Sequence, residues 1–442
     1  MTIQRAAATA ALLLVFVCAR PAAAFQAAPG AGRAVERADS LVRDMARGDF
    51  AAVERRFDET MRAAVPVARL EQLWATVQAQ AGAFRGTRGS RVERQDSLET
   101  VVLAGEFERA ALDFRVVFRP DGRVAGLFLT PGAPAVRPDY SAPAGAPYTA
   151  EEVTVRTPAG HVLTGTLTLP AGAGRPLPAV VLASGSGPQD RDGASAAIPG
   201  YRPFRQIADT LSRRGIAVLR LDDRGVGGSG GVAPNVTTAR FAEDLRAAVA
   251  YLRTRQEIAP ERIGLVGHSE GGVTAPMVAA TDPRIRAVAL LAGTSRPGRE
   301  VSLYQNRALL DAVPELTPAQ RDSIMATVPA QIDSIAGTSA WLRFWFVYDP
   351  LPTVRLVRAP VLVLQGATDR QVPEAHAREL AGALRAAGNR DVTLRVFPAV
   401  NHLFLADPEG TANVQRYAAL PSKDVPPAVL GVLADWLAAK LR

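Results

Sequence analysis

Over the C-terminal two thirds of the chain, short apolar runs of strand length alternate with longer stretches of helical period. The apolar runs predict six strands, at residues 179–183, 217–221, 263–268, 287–291, 361–365 and 392–397. Alternating segments at residues 153–156 and 163–169 predict an antiparallel hairpin before them. Because strands that alternate with helices form parallel sheets, we predict a doubly wound, mostly parallel α/β domain over residues 151–442. A site on such a sheet is expected at the carboxyl ends of its strands.

The first third of the chain shows helical periods first and strand periods afterwards. The apolar positions predict helices at residues 34–47, 50–64 and 67–81. The period then changes to two, which predicts strands at residues 86–94, 98–107, 110–118 and 124–129. We therefore expect a separate small α+β domain over residues 34–132, followed by a linker rich in Pro, Gly and Ala over residues 133–150.

The alternation of strands and helices stops after the strand predicted at residues 287–291. Helical periods there predict helices at residues 302–313, 317–328 and 339–347. They form a predicted insertion, a cap, over about residues 294–358, whose last helix includes Trp341 and Trp345. These rings are candidates to line a pocket for an apolar acyl or aryl group. The sequence equally allows that they only pack the cap against the core.

The composition of the 442 residues is consistent with this domain organisation and serves mainly to exclude other classes of protein. A hydrophobic fraction of 48% with 21% charged residues is ordinary for a globular protein with a large core, and the length suggests two or three domains. The net charge of +8 comes from arginine, since Lys423 and Lys440 are the only lysines. Because no run of basic residues forms a tail or patch, we do not expect nucleic-acid binding.

The first 24 residues have the pattern of a cleavable signal peptide. Residues 6–19 are apolar, and Ala-Ala-Ala at residues 22–24 is a cleavage site of the expected kind. The single cysteine, Cys18, follows Val17, where a lipoprotein signal has a small residue, so we expect ordinary cleavage without a lipid anchor. The sequence thus predicts export to the periplasm or the medium, with no stable membrane insertion. It also leaves the mature chain no cysteine as nucleophile or metal ligand.

Candidate chemistry begins with residues 267–272, which read Gly-His-Ser-Glu-Gly-Gly. They follow an apolar run at residues 263–266, where a buried strand should end and a helix should begin. A G-x-S-x-G motif occurs by chance in many proteins, but at a sharp strand-to-helix turn it exposes the serine hydroxyl. Ser269 is therefore the candidate nucleophile of an acyl-transfer reaction. The alternative is an ordinary small residue of a tight turn.

A nucleophilic serine needs a base and an acid, and the chain has four histidines, His161, His268, His376 and His402. His402 lies in a loop just after the strand predicted at residues 392–397, whereas His376 starts a predicted helix. In the chain order Ser, Asp, His the acid precedes the base. This order favours Asp369, in the loop after the preceding predicted strand. Two alternatives stay open: Asp369 caps the next helix, or Asp407 is the acid.

Five motifs in this order resemble those of the α/β-hydrolase superfamily, specifically its bacterial esterase and serine-aminopeptidase-like branch. They lie at residues 184–192, 223–229, 267–272, 366–373 and 401–404. The helices and strands of the N-terminal region resemble the cystatin-like, or nuclear-transport-factor-like, domains that precede some bacterial hydrolases. The chain departs from many members at Ser184, where they have histidine before the glycine.

The resemblance implies a two-step mechanism that needs no metal or cofactor. His402 accepts the proton of Ser269 during attack on a carbonyl, Asp369 orients the imidazole, and water then hydrolyses the acyl-enzyme. The backbone N–H groups of Ser186 and Glu270 would hold the oxyanion. We expect the Glu270 side chain to make only local contacts.

Two further groups of residues in the motifs are interpreted as structural. His268 is expected to point its ring away from the serine hydroxyl. Asp-Arg-Asp at residues 190–192 is expected to hold the oxyanion loop in shape. The sequence leaves open that Arg191 contacts a substrate instead.

The sequence therefore predicts a serine hydrolase that cleaves small-molecule carboxylic esters. The nearest alternative is a serine peptidase acting on short peptides, which would need acidic residues near the cap for a free α-amino group. Acidic residues at residues 294–358 are scattered. Epoxide hydrolase and dehalogenase chemistry is disfavoured because those relatives have aspartate where Ser269 stands. A binding protein with an inactive hydrolase fold is disfavoured, because a binder gains nothing from keeping all three groups of the triad. The N-terminal sheet could form a homodimer or flank the mouth of the active site, and the equal alternative is a stabilising accessory domain.

Overall fold

The structure is a computed structural model of the chain, and it describes residues 31–442 apart from 96–97, 132–137, 173, 175, 196, 232–235 and 338. The predicted signal peptide lies outside the described residues. The described chain divides between Asp139 and Tyr140 into two compact units, and each is presented by itself. Of the helices formed by the described residues, none combines the length and the hydropathy needed to cross a membrane.

The N-terminal unit consists of helices followed by an antiparallel sheet. Its helices are α1 (Ala31–Ala46), α2 (Phe50–Glu54), α3 (Glu59–Ala64) and α4 (Val67–Ala81). Its strands are β1 (Phe84–Gln95), β2 (Leu98–Phe107), β3 (Ala111–Phe118) and β4 (Val124–Pro131), in that order across the sheet. Apolar residues of α1 and α4 pack against the sheet, where Trp74 lies against Phe114. The small α+β fold predicted here is confirmed.

One helix predicted in this unit, at residues 50–64, is wrong, because the chain interrupts it between α2 and α3. Phe57 in the interruption is fully buried and forms a bridge with Val124 of β4. Asp58 then caps α3, since its carboxylate accepts the backbone N–H of Met61 at 2.8 Å. Burial of the Phe57 ring and the helix cap formed by Asp58 stabilise this interruption more than the helical period of the sequence favours a continuous helix.

The second unit is built on a sheet of eight strands. They are β5 (Tyr148–Arg156), β6 (Val162–Pro170), β7 (Leu177–Ala183), β8 (Ala217–Leu221), β9 (Ile258–His268), β10 (Ile285–Leu291), β11 (Val361–Gly366) and β12 (Val392–Phe397). Their order is β12-β11-β10-β9-β7-β8-β6-β5. β6 runs antiparallel to both neighbours, and β7 to β12 are parallel. β5 begins inside residues 133–150, so the end of the predicted linker is a strand.

Helices cover both faces of this sheet, which confirms the doubly wound α/β fold. The helices are α5 (Pro203–Ser212), α6 (Thr238–Thr254), α7 (Gly271–Ala279), α8 (Gly298–Asp311), α9 (Pro318–Met325), α10 (Val328–Ala336), α11 (Ala340–Val347), α12 (Pro350–Val354), α13 (Glu374–Ala386) and α14 (Pro427–Lys440). Apolar residues of α6, α7 and α13 pack on one face of the sheet, and those of α5 and α14 pack on the other. The parallel strands are thereby buried on both sides.

Helices α8 to α12 form the insertion between β10 and β11 that the sequence predicts as a cap. The helix predicted at residues 317–328 is wrong at its C-terminal end. Helix α9 ends at Met325, and Pro329 lies in the first turn of α10. Proline is compatible with that turn because its missing N–H would have no helical acceptor there.

Candidate active site

Ser269 lies at a sharp turn between the end of β9 and the start of α7. Its φ of 55° is in the left-handed region, which residues other than glycine rarely adopt. A Cβ at Gly267 would lie 2.0 Å from the carbonyl oxygen of Gly271, and one at Gly271 would lie 2.2 Å from that of Ala183. Only glycines allow this approach of backbone to backbone, which holds the strained serine at the end of the strand.

Ser269, Asp369 and His402 meet at the carboxyl ends of β9, β11 and β12. Nε2 of His402 is 3.1 Å from Oγ of Ser269, and its Nδ1 is 2.8 Å from Oδ2 of Asp369. The histidine and aspartate side chains are 5% and 0% exposed. With a proton on Nδ1 facing the carboxylate, Nε2 is free to accept the serine proton. This is the arrangement that nucleophilic catalysis by serine requires.

The carboxylate of Asp369 is fixed by hydrogen bonds to both of its oxygens. Oδ1 accepts the backbone N–H groups of Gln371 at 2.7 Å and Val372 at 2.8 Å. Oδ2 accepts the side-chain amide of Gln365 at 2.9 Å and faces His402. The alternative that Asp369 caps the next helix is wrong, because no side chain caps α13. Gln365, a lone polar residue at the end of an apolar strand, is a supporting residue that the sequence analysis overlooks.

The loop that carries His402 is held by Asn401 and Asp407. Oδ1 of Asn401 accepts the N–H groups of two residues that follow the histidine. Asp407 accepts the side-chain amide of Asn401 at 3.3 Å and two backbone N–H groups further along the loop. None of its described hydrogen bonds reaches His402. Asp407 is therefore a loop residue and not the acid partner.

The other histidines do not bond the Ser269 hydroxyl. Nε2 of His268 donates to the backbone carbonyl of His402 at 2.9 Å, across 134 residues of sequence. Burial, and then the charge of His402, lower the pKa of His268 to about 4, so it is neutral at neutral pH. His161 and His376 make hydrogen bonds elsewhere in the unit. Among the described residues, no three His, Cys, Asp or Glu side chains are arranged to hold a metal ion.

The two candidate oxyanion donors lie on either side of the nucleophile. A Cβ at Gly185 would be 3.2 Å from the Cβ of Ser269, so this glycine turn passes directly beside the serine. The N–H of Ser186 follows on that turn, and the N–H of Glu270 precedes α7. Within the described part of the chain, neither donates to a backbone carbonyl. Both are therefore available to a negatively charged oxygen formed at Ser269.

Ser184, the residue at which the chain departs from the family pattern, is bonded to Asp223. Oδ1 of Asp223 accepts the Ser184 hydroxyl, and Oδ2 accepts the backbone N–H of Gln189 at 2.9 Å. Burial raises the pKa of Asp223 to about 8. One carboxyl group thus holds both ends of the turn that contains Ser186.

Arg191 lies inside the second unit and is 1% exposed. Its guanidinium pairs with Asp222 at 2.8 Å and with Glu152 at 2.5 Å. The next residue, Asp192, pairs with buried Arg220. Contact between Arg191 and a substrate is therefore excluded, and these ion pairs fix the segment after the oxyanion turn.

Replacing Arg191 with methionine is expected to lower the free energy of unfolding by about 3–5 kcal/mol, because buried Asp222 would lose its cation. Urea denaturation followed by tryptophan fluorescence measures the change. Arg213→Met is the matched control, since the side chains of Arg213 and its partner Asp209 are 47% and 32% exposed and such a pair should contribute little stability. Equal losses in the two variants would contradict the assignment.

The Glu270 side chain reaches beyond its neighbours, so the prediction of local contacts is wrong. Its Oε1 accepts Oγ1 of Thr238 at 2.6 Å and Nε1 of Trp341 at 2.8 Å. Trp341 in turn stacks on Trp345, with ring centroids 5.9 Å apart and planes at 8°. Burial raises the pKa of Glu270, and the bonds from Thr238 and Trp341, together with the nearby side chain of Ser186, oppose that rise. The cap thus contacts the residue next to the nucleophile.

Comparison with known families identifies the class that this fold and site define. The model described as the alpha/beta hydrolase family matches residues 180–414. A second model, described as a protein of unknown function (DUF3887), matches residues 38–127. This chain belongs to the α/β-hydrolase family, and the predicted resemblance to that superfamily is confirmed. Its N-terminal unit corresponds to an accessory domain of a separate type.

Individual proteins are similar to this chain over different lengths. Esterase EstD of Thermotoga maritima is 27% identical over 406 residues, which cover 90% of this chain and 93% of that protein. Dipeptidyl aminopeptidase BIII of Pseudoxanthomonas mexicana is 27% identical over 251 residues, 54% of this chain and 32% of that protein. The solved structure of the Pyrococcus furiosus esterase Pf2001 covers 70% of this chain and all of its own, with 17% identity and a TM-score of 0.46.

Proposed function

We propose that this protein is a serine hydrolase that cleaves carboxylic esters through an acyl-enzyme on Ser269. His402 takes the serine proton as the hydroxyl attacks the ester carbonyl, and it returns that proton to the departing alcohol. Asp369 holds the imidazole and stabilises its charged form. The N–H groups of Ser186 and Glu270 hold the oxyanion. Water activated by His402 then releases the acid and restores the serine.

The observation that carries this proposal is the position of His402 between the other two groups, 3.1 Å from the Ser269 hydroxyl and 2.8 Å from the Asp369 carboxylate. The choice of esters is supported by the similarity to Esterase EstD over most of both chains. The stacked rings of Trp341 and Trp345 offer an apolar surface in the cap, and we propose that it contacts the acyl or aryl group of the substrate.

A serine peptidase is the competing function, and the similarity to a dipeptidyl aminopeptidase bears on it. Such an enzyme needs free carboxylates near the cap to bind an α-amino group. Three cap carboxylates are instead paired with arginines: Glu300 with Arg296, Asp322 with Arg307, and Asp333 with Arg299. Each pair neutralises a charge that an ammonium group would otherwise use, which favours the ester.

Hydrolysis of p-nitrophenyl esters from acetyl to decanoyl, compared with aminoacyl p-nitroanilides, distinguishes the two functions. We expect the esters to be turned over, with a maximum at the chain length that fills the pocket, and the anilides to be left intact. Efficient cleavage of the anilides together with slow turnover of every ester would overturn the proposal in favour of the peptidase.

A further inference from the structure

The carboxylate of Glu270 has no part in the mechanism above, although it is buried beside the nucleophile. The residue is 2% exposed, and its Oε2 has no hydrogen-bond partner within the described part of the chain. An unsatisfied buried oxygen is destabilising, and leucine or methionine would fill the same space without that disadvantage. The presence of a carboxylate at this position is therefore best explained by the groups that its other oxygen, Oε1, binds.

Oε1 joins two elements that are far apart in sequence. Thr238, the first residue of α6, is fully buried and donates its hydroxyl at 2.6 Å. Trp341 belongs to α11 of the cap and donates its indole N–H at 2.8 Å. Because a hydrogen bond in a buried, low-dielectric site is stronger than one in water, this one oxygen links a core helix and a cap helix to the residue after Ser269.

Further contacts connect Trp341 to the first helix of the cap. Trp341 stacks on Trp345, and Trp345 packs directly on the start of α8, where a Cβ at Gly298 would lie 2.0 Å from its Nε1. A displacement of the cap therefore moves the indole N–H that donates its hydrogen bond to Glu270. The backbone N–H of Glu270 is the oxyanion donor of the proposed function, so its direction depends on this contact.

We propose that Glu270 is a positioning residue whose carboxylate, by accepting Trp341 from the cap and Thr238 from the core, aligns its own backbone N–H with the oxyanion. This inference rests on the proposed function. It implies that both oxyanion donors are correctly aligned only while the cap packs against the core. Removing an oxyanion donor lowers turnover by about 10²–10³-fold, and misaligning one should lower it by less, about tenfold.

The test uses the full chain and a fluorophosphonate. Its phosphorus bonds to Oγ of Ser269 as fluoride leaves and His402 takes the serine proton, and its phosphoryl oxygen occupies the oxyanion hole. Trp341→Phe keeps an aromatic ring on Trp345 but removes the indole N–H. We expect the inactivation rate constant kinact to fall about tenfold, with the inhibitor constant within about twofold of wild type. Trp436→Phe is the matched control, because the buried Nε1 of Trp436 has no hydrogen-bond partner among the residues that the structure describes, and it should leave kinact unchanged.

Two substitutions at Glu270 separate positioning from general loss of packing. Glu270→Gln keeps a carbonyl oxygen for both donors, whereas Glu270→Ala removes it. We expect the glutamine variant to retain at least about tenfold more kinact than the alanine variant. Equal damage in the two, or a Trp341→Phe effect confined to the inhibitor constant, would overturn the inference alone. A folded wild type that the probe does not label at Ser269 would overturn the proposed function, and this inference with it.

Discussion

Ser269→Ala is expected to reduce kcat for ester hydrolysis by about 10⁴–10⁶-fold, since the proposed mechanism forms the acyl-enzyme on the Ser269 hydroxyl. The residual rate would come from the oxyanion donors and substrate binding, which the substitution leaves in place. Steady-state hydrolysis of the best p-nitrophenyl ester measures the change. Alanine has the same Cβ as serine, so it should meet the same steric demand at the φ of 55°, and the fold should be retained.

The free energy of unfolding of the Ser269→Ala variant serves as the control that its fold is intact. Losing the hydrogen bond to His402 should change the free energy of unfolding by no more than about 1 kcal/mol. Thermal denaturation of the two proteins side by side checks this. If Ser269→Ala keeps more than a tenth of the wild-type kcat, the nucleophile is another group and the mechanism fails.

Asp369→Asn is expected to reduce kcat by about 10⁴-fold at neutral pH. Oδ1 of Asp369 already accepts two backbone N–H groups, so the amide oxygen of asparagine would take that place. The amide NH₂ would then face Nδ1 of His402 and force its proton onto Nε2. Nε2 would donate to Ser269 and lose its ability to accept the serine proton. The ester assay detects the loss.

Asp407→Asn is the matched control for that prediction. Asp407 is also buried, at 1% exposed, and lies five residues after the base. Its described hydrogen bonds hold only the loop, so the substitution should affect stability more than kcat. If Asp407→Asn lowered kcat as much as Asp369→Asn, the assignment of the acid would be wrong.

The fold was accessible to sequence analysis because its signal is periodic. Alternating apolar runs and helical periods predict the doubly wound sheet, and the strand at residues 98–107 coincides with β2. The errors arise where a single residue overrides the period. Phe57 interrupts a predicted helix because its ring is buried against β4. Pro329 lies in the first turn of α10, a helix that the pattern does not predict.

The site was accessible only in part. The order of the motifs selects Ser269, Asp369 and His402, and the structure brings these three into hydrogen-bonding distance. The contacts that support them were not predictable, because they join distant loops. His268 and His402 are 134 residues apart, and Glu270 and Trp341 are 71 apart. Such pairs depend on strand order and cap placement, which hydropathy does not encode.

The proposed acyl-enzyme on Ser269 can be detected directly by rapid-quench mass spectrometry of the protein mixed with a p-nitrophenyl ester. We expect the peptide containing Ser269 to gain the mass of the acyl group within the first turnover. We also expect the Ser269→Ala protein to gain none. An acyl group on a different residue, or undiminished turnover by the alanine variant, would contradict the proposed mechanism.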